Sequence, residues 1–167
     1  EFKAEALWST TYNPIQMKES KSLELREYGQ KASKVIIAKS ITAFLNSDGG
    51  SLLIGVKEKK EEGKFEIVGI EEDLKKVKDS GIDGLKRIII DEIIKVFFPP
   101  KIFNHLNDYI SFEFVGIEEK TICWIKMKRS DSRVFLKIND RELFMIRVDS
   151  ENRTLEGEKL VDYCVRK

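Results

Sequence analysis

The sequence is poor in the residues that build zinc and redox centres. Its 167 residues include two cysteines, Cys123 and Cys164, which are far apart, and one histidine, His105, which is close to neither. Structural zinc sites use four such ligands at characteristic spacings. We therefore expect no zinc, and an isolated histidine of this kind is more often structural or exposed than catalytic.

Long apolar runs are also missing. No stretch approaches the roughly 18 residues needed to cross a bilayer, and the N-terminus lacks the order of basic, apolar and small residues seen in secretory signals. We therefore expect a cytoplasmic protein with no membrane partner. Glutamine occurs only twice while charged residues make up 35% of the chain, a bias typical of thermophile proteins.

Neither sign of charge is in excess. Thirty basic and 29 acidic residues leave a net charge of +1, so composition alone does not indicate a nucleic-acid-binding protein, and any basic surface must be local. The length and the 41% hydrophobic content suit one globular domain, which we place at residues 17–167. Residues 1–16 show little periodicity and are interpreted as an N-terminal arm or as a segment appended before a natural start at Met17.

The periodicity of apolar residues predicts an α+β fold. Two main helices are expected, one ending at "NSDGG" and one running from Asp83 to Phe97, where Pro99 and Pro100 stop it. A C-terminal helix is expected from about Thr154 to Val165. Short runs rich in β-branched and aromatic residues predict a mixed, mostly antiparallel sheet. The predicted strands are residues 22–27, 51–56, 65–70, 109–117, 121–128, 134–138 and 142–148.

Two carboxylates stand out in the stretch "ESKSLELR". Glu19 and Glu24 are five positions apart, so they face opposite sides of a regular strand and lie about 140° apart on a helix. They can converge only across an irregular turn, which the serines of "ESKS" favour. The alternative is a solvated edge strand.

The turn "NSDGG" invites comparison with phosphate-binding loops. It lacks the GK[ST] ending, and its glycines follow a helix instead of opening one. We therefore interpret it as a tight turn that feeds a buried strand, and expect no nucleotide cofactor.

The order of several motifs resembles the Schlafen AlbA-like domain. These are "ES" followed by "LELR", the helix and strand "ITAFLNSDGGSLLIGVKE", then "IVGI", and a late "FMIRVDSENRTL". The resemblance implies a metal-dependent endoribonuclease that cleaves structured RNA such as transfer RNA. The implied catalytic and metal-binding residues are Glu19, Glu24 and Glu58. Glu58 stands where the family usually has aspartate, and the extra methylene lengthens its reach.

The implied acids suit a hard divalent cation. Mg²⁺ and Mn²⁺ prefer carboxylate oxygens and can neutralise charge on a phosphate during cleavage. Three carboxylates without a cation would repel one another. The resemblance therefore implies Mg²⁺ or Mn²⁺ as cofactor.

Contact with nucleic acid needs cations along a groove. Two local groups, around "KEKK" and "KMKRSDSR", are candidates, although lysine runs are more often solvated loops. Arg147 and Arg153 could instead pin the last turn to the sheet, and Arg26 replaces the usual lysine of the family motif. The predicted contacts are Arg26, Lys57, Lys59, Lys60, Lys126, Lys128, Arg129, Arg133, Arg147 and Arg153.

Two functions remain open at this stage. One is the endoribonuclease, and the other is a non-catalytic module that binds DNA or RNA through phosphates. Vertebrate Schlafen cores join two related lobes, whereas this chain has one. We therefore expect a homodimer that builds the RNA groove across its two-fold axis.

Overall fold

The computed structural model describes residues 1–78 and 81–166. Within them the fold is α+β, as the sequence predicts. The strands are β1 (Phe2–Lys3), β2 (Gly50–Ile54), β3 (Val56–Lys59), β4 (Lys64–Ile67), β5 (Ile110–Ile117), β6 (Lys120–Met127), β7 (Phe135–Ile138), β8 (Arg141–Val148) and β9 (Glu151–Leu155). The helices are α1 (Pro14–Glu19), α2 (Leu23–Tyr28), α3 (Ala32–Leu45), α4 (Glu71–Lys75), α5 (Gly81–Ile88), α6 (Lys95–Phe97), α7 (Pro100–Asn104), α8 (Leu106–Tyr109) and α9 (Gly157–Arg166).

The strands form three sheets. A four-stranded sheet has the order β1-β2-β6-β5, in which only the β1–β2 pair is parallel. Strands β3 and β4 form a separate antiparallel hairpin, and β7, β8 and β9 form an antiparallel three-stranded sheet. The prediction of mixed, mostly antiparallel pairing is confirmed.

Helix α3 lies at the centre of the core. Eleven of its fourteen residues are buried, and it contacts strands of both larger sheets. A helix that is apolar nearly all round must be buried on all sides, and the run "ASKVIIAKSITAFL" has that character. Because α3 ends at Leu45 beside both sheets, its C-terminus is a fixed point from which neighbouring loops are positioned.

The predicted strand at residues 22–27 is wrong. These residues form helix α2, because the Ser22 side chain accepts a hydrogen bond from the Leu25 N–H at 3.2 Å and so caps the first turn. Leu25 is then fully buried while its neighbours point outward. The serine cap and the single buried leucine favour a short helix here, although the alternation of apolar and polar residues suggested a strand.

The second predicted main helix is continuous but irregular. After α5, residues Ile89–Ile94 adopt π-helical geometry before the chain resumes as α6 and ends ahead of Pro99. The C-terminal helix begins later than predicted. Thr154 lies in β9 opposite Met145, and α9 starts at Gly157. The described residues contain no helix long and apolar enough to cross a membrane.

Residues 1–16, expected to lie apart as an arm, pack into the domain. Ala6 and Leu7 belong to the main hydrophobic cluster, and the Asp73 carboxylate accepts hydrogen bonds from their backbone N–H groups at 2.7 and 2.9 Å. Burial raises the pKa of the Asp73 carboxyl. Phe2 extends the same segment along β2 and stacks on Phe65 of the hairpin.

Candidate functional site

The acids singled out from the sequence lie on short elements at the surface. Glu19 is the exposed last residue of α1, and Glu24 is half-buried in the first turn of α2, where the Ser22 hydroxyl donates to it at 3.4 Å. The irregular connection predicted between them exists, since Ser20 and Ser22 have extended backbones between two helices. Glu58 is exposed on β3, opposite Phe65.

The basic run around Glu58 is neutralised locally. Lys57 faces Glu66 across the hairpin, and Lys59 forms an ion pair with Glu66 at 3.5 Å. From residue 57 to residue 66 the hairpin carries four lysines and four glutamates, so it presents no net positive charge. Lys57, Lys59 and Lys60, though exposed as predicted, therefore lie in a balanced field.

The run "KRSDSR" forms a loop, residues 128–133, that leads from β6 to β7 and so from one sheet to another. Its backbone is anchored at two points. The Lys128 N–H donates to the Tyr109 carbonyl at 2.9 Å, and the Ser130 N–H donates to the Leu45 carbonyl at the end of α3 at 2.8 Å. We call residues 128–133 the basic loop.

The basic loop passes closely over the glycine turn that follows α3. A Cβ at Gly49 would lie 2.6 Å from the Met127 carbonyl oxygen and 3.3 Å from the Arg129 nitrogen, and Gly49 has a φ of +75°. Only glycine suits both the conformation and the space. The turn that resembled a phosphate loop is therefore a support for the basic loop.

Cations gather on the basic loop. Lys128, Arg129 and Arg133 are exposed, and the ammonium of Lys101 contacts the Ser132 hydroxyl and donates to the Arg133 carbonyl at 3.3 Å. Arg129 approaches Asp48 only to 3.8 Å, and the Asp48 side chain is 97% exposed. Such an exposed pair leaves the guanidinium available to a phosphate.

The one acid of the basic loop, Asp131, is hydrogen-bonded to a tyrosine of α8. Asp131 accepts a hydrogen bond from the Tyr109 hydroxyl at 2.6 Å. This bond lowers the pKa of the Asp131 carboxyl and raises the pKa of the Tyr109 phenol. The Asp131 carboxylate is thus held by a residue of α8, and no ion pair joins it to the three cations of the loop among the described residues.

A cavity of about 210 Å³ opens beside the basic loop. Its lining includes two arginines and the one acid of the loop, and consists of Asn46, Arg129, Ser130, Asp131, Ser132, Arg133, Phe144 and Tyr163. A neighbouring cavity of about 290 Å³ shares Arg129 and Tyr163 and continues along the glycine turn. The two cavities make a concave surface that is lined by three arginines, Arg129, Arg133 and Arg147, and by three aspartates, Asp48, Asp131 and Asp149.

The floor of this surface is rigid. The buried Asn46 amide donates to the Val134 and Met145 carbonyls at 2.8 and 2.9 Å and accepts from the Val134 N–H at 2.8 Å. These bonds fasten α3 to the start of β7 and to β8. A phosphate that contacts the basic loop would therefore meet groups that need little ordering.

The other predicted cations are differently placed. Lys126 is paired with Glu113 at 2.7 Å and lies over the Trp124 ring. Arg147 is largely buried, and its guanidinium donates to the Glu1 carboxylate at 2.6 Å and to the Asn152 side-chain oxygen at 2.8 Å. These bonds suit the alternative in which Arg147 pins the last turn to the sheet. Arg153 pairs with Glu151 at 3.3 Å, and Arg26 is exposed on α2.

Lys101 and Tyr109 are members of the site that sequence reasoning missed. Both lie near the basic loop only because α7 and α8 fold back beside it, and nothing in "PPKIF" or "NDYI" indicates that proximity. The cysteines add no chemistry that we can assign, since burial raises the pKa of the Cys123 thiol to about 12.

Comparison with known families agrees with the order of motifs in the sequence. Residues 19–156, well over half of the chain, match the family described as Schlafen, AlbA_2. The chain belongs to the Schlafen AlbA_2 family. The matched region begins at Glu19 and includes the basic loop, the hairpin and the glycine turn. No curated protein matches the chain.

A solved structure shares the fold of this AlbA_2 chain at low sequence identity. The DIP2311 protein from Corynebacterium diphtheriae is 15% identical with a TM-score of 0.53 over 93% of this chain, which spans about a fifth (21%) of that protein. The N-terminal domain of an ATP-dependent DNA helicase RecG-related protein from Nitrosomonas europaea is 15% identical with a TM-score of 0.46, covering 94% of this chain and 84% of that one.

The three-acid metal site that the Schlafen resemblance implies does not form in this structure. Within residues 1–78 and 81–166, no three histidine, cysteine, aspartate or glutamate side chains lie close enough together to hold a metal ion. Glu19, Glu24 and Glu58 as folded here therefore do not fit a shared divalent ion.

Proposed function

We propose that this Schlafen AlbA_2 domain binds nucleic acid through its phosphates, with the basic loop as the principal contact. The observation that carries the proposal is the basic loop itself, in which Lys128, Arg129 and Arg133 are exposed, Arg129 and Arg133 line a concave surface, and the one acid, Asp131, is hydrogen-bonded by Tyr109. Lys101 adds a fourth cation through its contact with the Arg133 carbonyl. Arginine forks and lysine ammonium groups are the usual donors to phosphate oxygens.

The preferred ligand of this proposal is RNA, with structured RNA of the transfer RNA type as the first candidate and DNA as the second. RNA is placed before DNA because of the family resemblance. The cations of the loop could contact the phosphates of either nucleic acid. Direct comparison of the two nucleic acids is therefore part of the test.

The test measures binding of fluorescently labelled transfer RNA, single-stranded RNA and duplex DNA by anisotropy at several salt concentrations, with EDTA present. We expect log Kd to rise with log salt at a slope of about 2 to 3, because three to four phosphates are neutralised. Binding that is absent, or that does not weaken with salt, would refute phosphate recognition.

The second candidate is a metal-dependent endoribonuclease that cleaves structured RNA. It is favoured by one observation, the family match that begins at Glu19 and contains Glu24 in the expected motif order. Since the three glutamates do not converge in this structure, such a function would require a rearrangement that brings them to Mg²⁺ or Mn²⁺. No step of that reaction follows from the present geometry.

Cleavage of labelled transfer RNA in Mn²⁺, in Mg²⁺ and in EDTA separates the two candidates. A nuclease of this type would lose all activity in EDTA, and Glu24→Gln would lower its rate at least about a hundredfold. Glu27→Gln, on the same helix, is the matched control. Intact RNA under all metal conditions would leave the binding function alone.

A homodimer with a groove across its two-fold axis stays a prediction. The mass of the protein in solution, measured with and without RNA, tests it directly. A monomer that binds RNA with the expected salt dependence would contradict it.

A further inference from the structure

Strand β5 forms an open edge of the four-stranded sheet. It runs for eight residues, Ile110–Ile117, in unbroken one-to-one register with β6, and no second strand pairs with it in the described part of the chain. Across residues 1–78 and 81–166, no backbone hydrogen bond joins residues 111–117 to anything except β6. Every residue of the strand after Ile110 is at least partly exposed. One side of β5 is therefore accessible to another strand.

Edge strands usually carry features that prevent pairing with other chains, such as short length, lysine or proline. Strand β1 has two residues, the hairpin strands β3 and β4 have four each with lysines, β7 has four with Lys137, and β9 has five with Arg153. In contrast, β5 ("ISFEFVGI") is eight residues long and contains no lysine, arginine or proline. Its one charged residue, Glu113, is already paired with Lys126 at 2.7 Å. Among these edges, β5 lacks the usual protection.

Hydrogen bonds around Thr121 show which backbone groups of β5 face the open side. Thr121 of β6 lies opposite Gly116. Its N–H donates to the Glu71 carboxylate at 2.8 Å, and its carbonyl accepts from the Ile70 N–H at 2.9 Å, so neither group points toward β5. Thr121 and Gly116 are therefore a non-hydrogen-bonded pair of the ladder, and the backbone groups of Gly116 point to the open side.

The same orientation recurs at every second residue of the strand. Pairs alternate along an antiparallel ladder, so Phe112 and Phe114 have the orientation of Gly116. The Lys128 N–H donates to the Tyr109 carbonyl at 2.9 Å, as this alternation requires at the other end. The N–H and C=O groups of these three β5 residues are thus available to a second strand.

We propose that β5 is an interface between two copies of this chain, which pair through it as antiparallel strands about a two-fold axis. Their four-stranded sheets would then join into one continuous sheet. Two-fold dimers are the commonest soluble oligomers, and antiparallel pairing of a strand with its own copy has that symmetry. The inference goes beyond the proposed function and does not depend on nucleic-acid binding.

The sequence of β5 favours a register with Phe114 on the two-fold axis. This register overlaps nearly the whole strand and places Phe112 opposite Gly116 of the second copy, where an added Cβ would have no neighbour within 4 Å. An aromatic ring can cover a glycine on the opposite strand. Glu113 then lies opposite Val115 of the second copy. Moving the axis to Glu113 would set two carboxylates opposite each other, which is unfavourable.

Sedimentation velocity of the full chain without nucleic acid, over a range of concentrations, tests the interface. We expect the parent to form a dimer. Gly116→Pro removes an N–H that faces the open side, so the β5–β6 ladder keeps its bonds. Because the two-fold axis repeats this loss, we expect dimerisation to weaken by about a hundredfold or more. Gly116→Ala keeps the N–H and, as the matched control, should change the dimer Kd by less than about threefold.

Two substitutions of Val115 test the register. Val115→Glu sets a second carboxylate opposite Glu113 of the other copy and should weaken the dimer about tenfold, since the contact occurs twice. Val115→Lys should leave the dimer as tight as the parent or tighter, because its ammonium faces that same carboxylate. Thermal unfolding checks that both variants fold. Equal weakening by the two substitutions would refute this register.

Amide exchange measured by NMR reports on the edge residue by residue. The amides of Phe112 and Phe114 should exchange about tenfold or more slowly in the parent dimer than in Gly116→Pro, because they bond the second copy. The amides of Ser111 and Glu113, which bond β6, should exchange alike in the two proteins. A difference confined to alternate residues is expected only when a second strand pairs with β5.

Three results would overturn the interface. The first is a parent chain that stays monomeric at every concentration. The second is a dimer in which the Phe112 and Phe114 amides exchange as fast as in Gly116→Pro. The third is a monomer in which these amides are slow, since a segment of the same chain would then cover the edge. RNA binding by a monomer would leave the proposed function in place and remove only this inference.

Discussion

The β3–β4 hairpin and the basic loop look alike as sequence and differ as surfaces. Both are short lysine- and arginine-rich segments between apolar strands. In the hairpin four lysines are balanced by four glutamates, and Glu66 lies opposite Lys57 and pairs with Lys59 at 3.5 Å. In the loop the single acid, Asp131, is turned toward Tyr109 at 2.6 Å. Under the proposed function, the net local charge, and not the number of cations, would decide which segment attracts phosphate.

The two segments also differ in how firmly they are held. The basic loop is hydrogen-bonded to the end of the central helix through Ser130, whereas the tip of the hairpin projects with residues 57–66 exposed. An anchored cation loses less conformational freedom when it binds a ligand than a cation on a free tip. Both differences favour the loop as the binding site.

The largest expected effect comes from reversing charge in the two segments. Lys128→Glu with Arg129→Glu should weaken RNA binding about a hundredfold or more, since two charge-assisted contacts are lost. Lys57→Glu with Lys60→Glu, the same change of charge in the hairpin, should alter Kd by less than about threefold. Anisotropy with labelled RNA measures both, and circular dichroism checks the fold. Equal losses of RNA affinity in the two double variants would show that the basic loop is not the preferred contact.

Two glycines, one beside the basic loop and one in the hairpin, test whether the loop depends on its contact with the glycine turn. Gly49 and Gly63 have φ values of +75° and +62°, but a Cβ at Gly49 meets the Met127 carbonyl oxygen at 2.6 Å while Gly63 has no neighbour within 4 Å. Gly63→Ala should cost about 1 kcal/mol in free energy of unfolding from backbone strain alone. Gly49→Ala should cost about 3 kcal/mol, because the basic loop must shift as well.

Urea unfolding of the two alanine variants gives these free energies, and RNA binding gives a second measure. Only Gly49→Ala should weaken RNA binding, since only that change moves the loop. Equal destabilisation of the two variants would show that the loop does not depend on its contact with the turn.

The smallest effect is expected from Tyr109→Phe. The Tyr109 hydroxyl lowers the pKa of Asp131, so its contribution to stability is present above the ordinary carboxyl value of 3.8 and is lost as pH falls through the lowered folded pKa. In the variant this pKa should return toward its ordinary value, as carboxyl NMR titration would show. Tyr12→Phe, in the N-terminal segment, is the control. An unchanged Asp131 titration would show that the hydroxyl does not hold the acid.

Much of the fold could be predicted from the sequence because its cues are local. The apolar run of α3, the glycines of the turn after it and the prolines after α6 mark helix boundaries that the structure confirms. Residues 22–27 were misread, because one buried residue, Leu25, looks the same in a short helix and in a short strand. The start of α9 was also misplaced, since Thr154 suits both a helix cap and a strand.

The site was only half predictable. Lys128, Arg129 and Arg133 are adjacent in sequence, so their grouping could be predicted from the chain alone. The pairing of Arg147 with Glu1 joins residues 146 positions apart, and nothing local to Arg147 indicates it. The convergence of Glu19, Glu24 and Glu58 likewise depended on tertiary structure, and the described residues do not bring them together.

The span of the basic loop between two sheets links its chemistry to the interior of the molecule. The Ser130 N–H donates to the carbonyl of Leu45, the last residue of α3, and the Val134 N–H donates to the side chain of Asn46, which follows it. The position of α3 therefore influences the spacing of the two arginines beside these anchors. A change deep in the core that tilts α3 would alter the distance between the guanidinium groups without touching either of them. If the surface binds phosphates as proposed, substitutions in the core beneath α3 would change its affinity for nucleic acid.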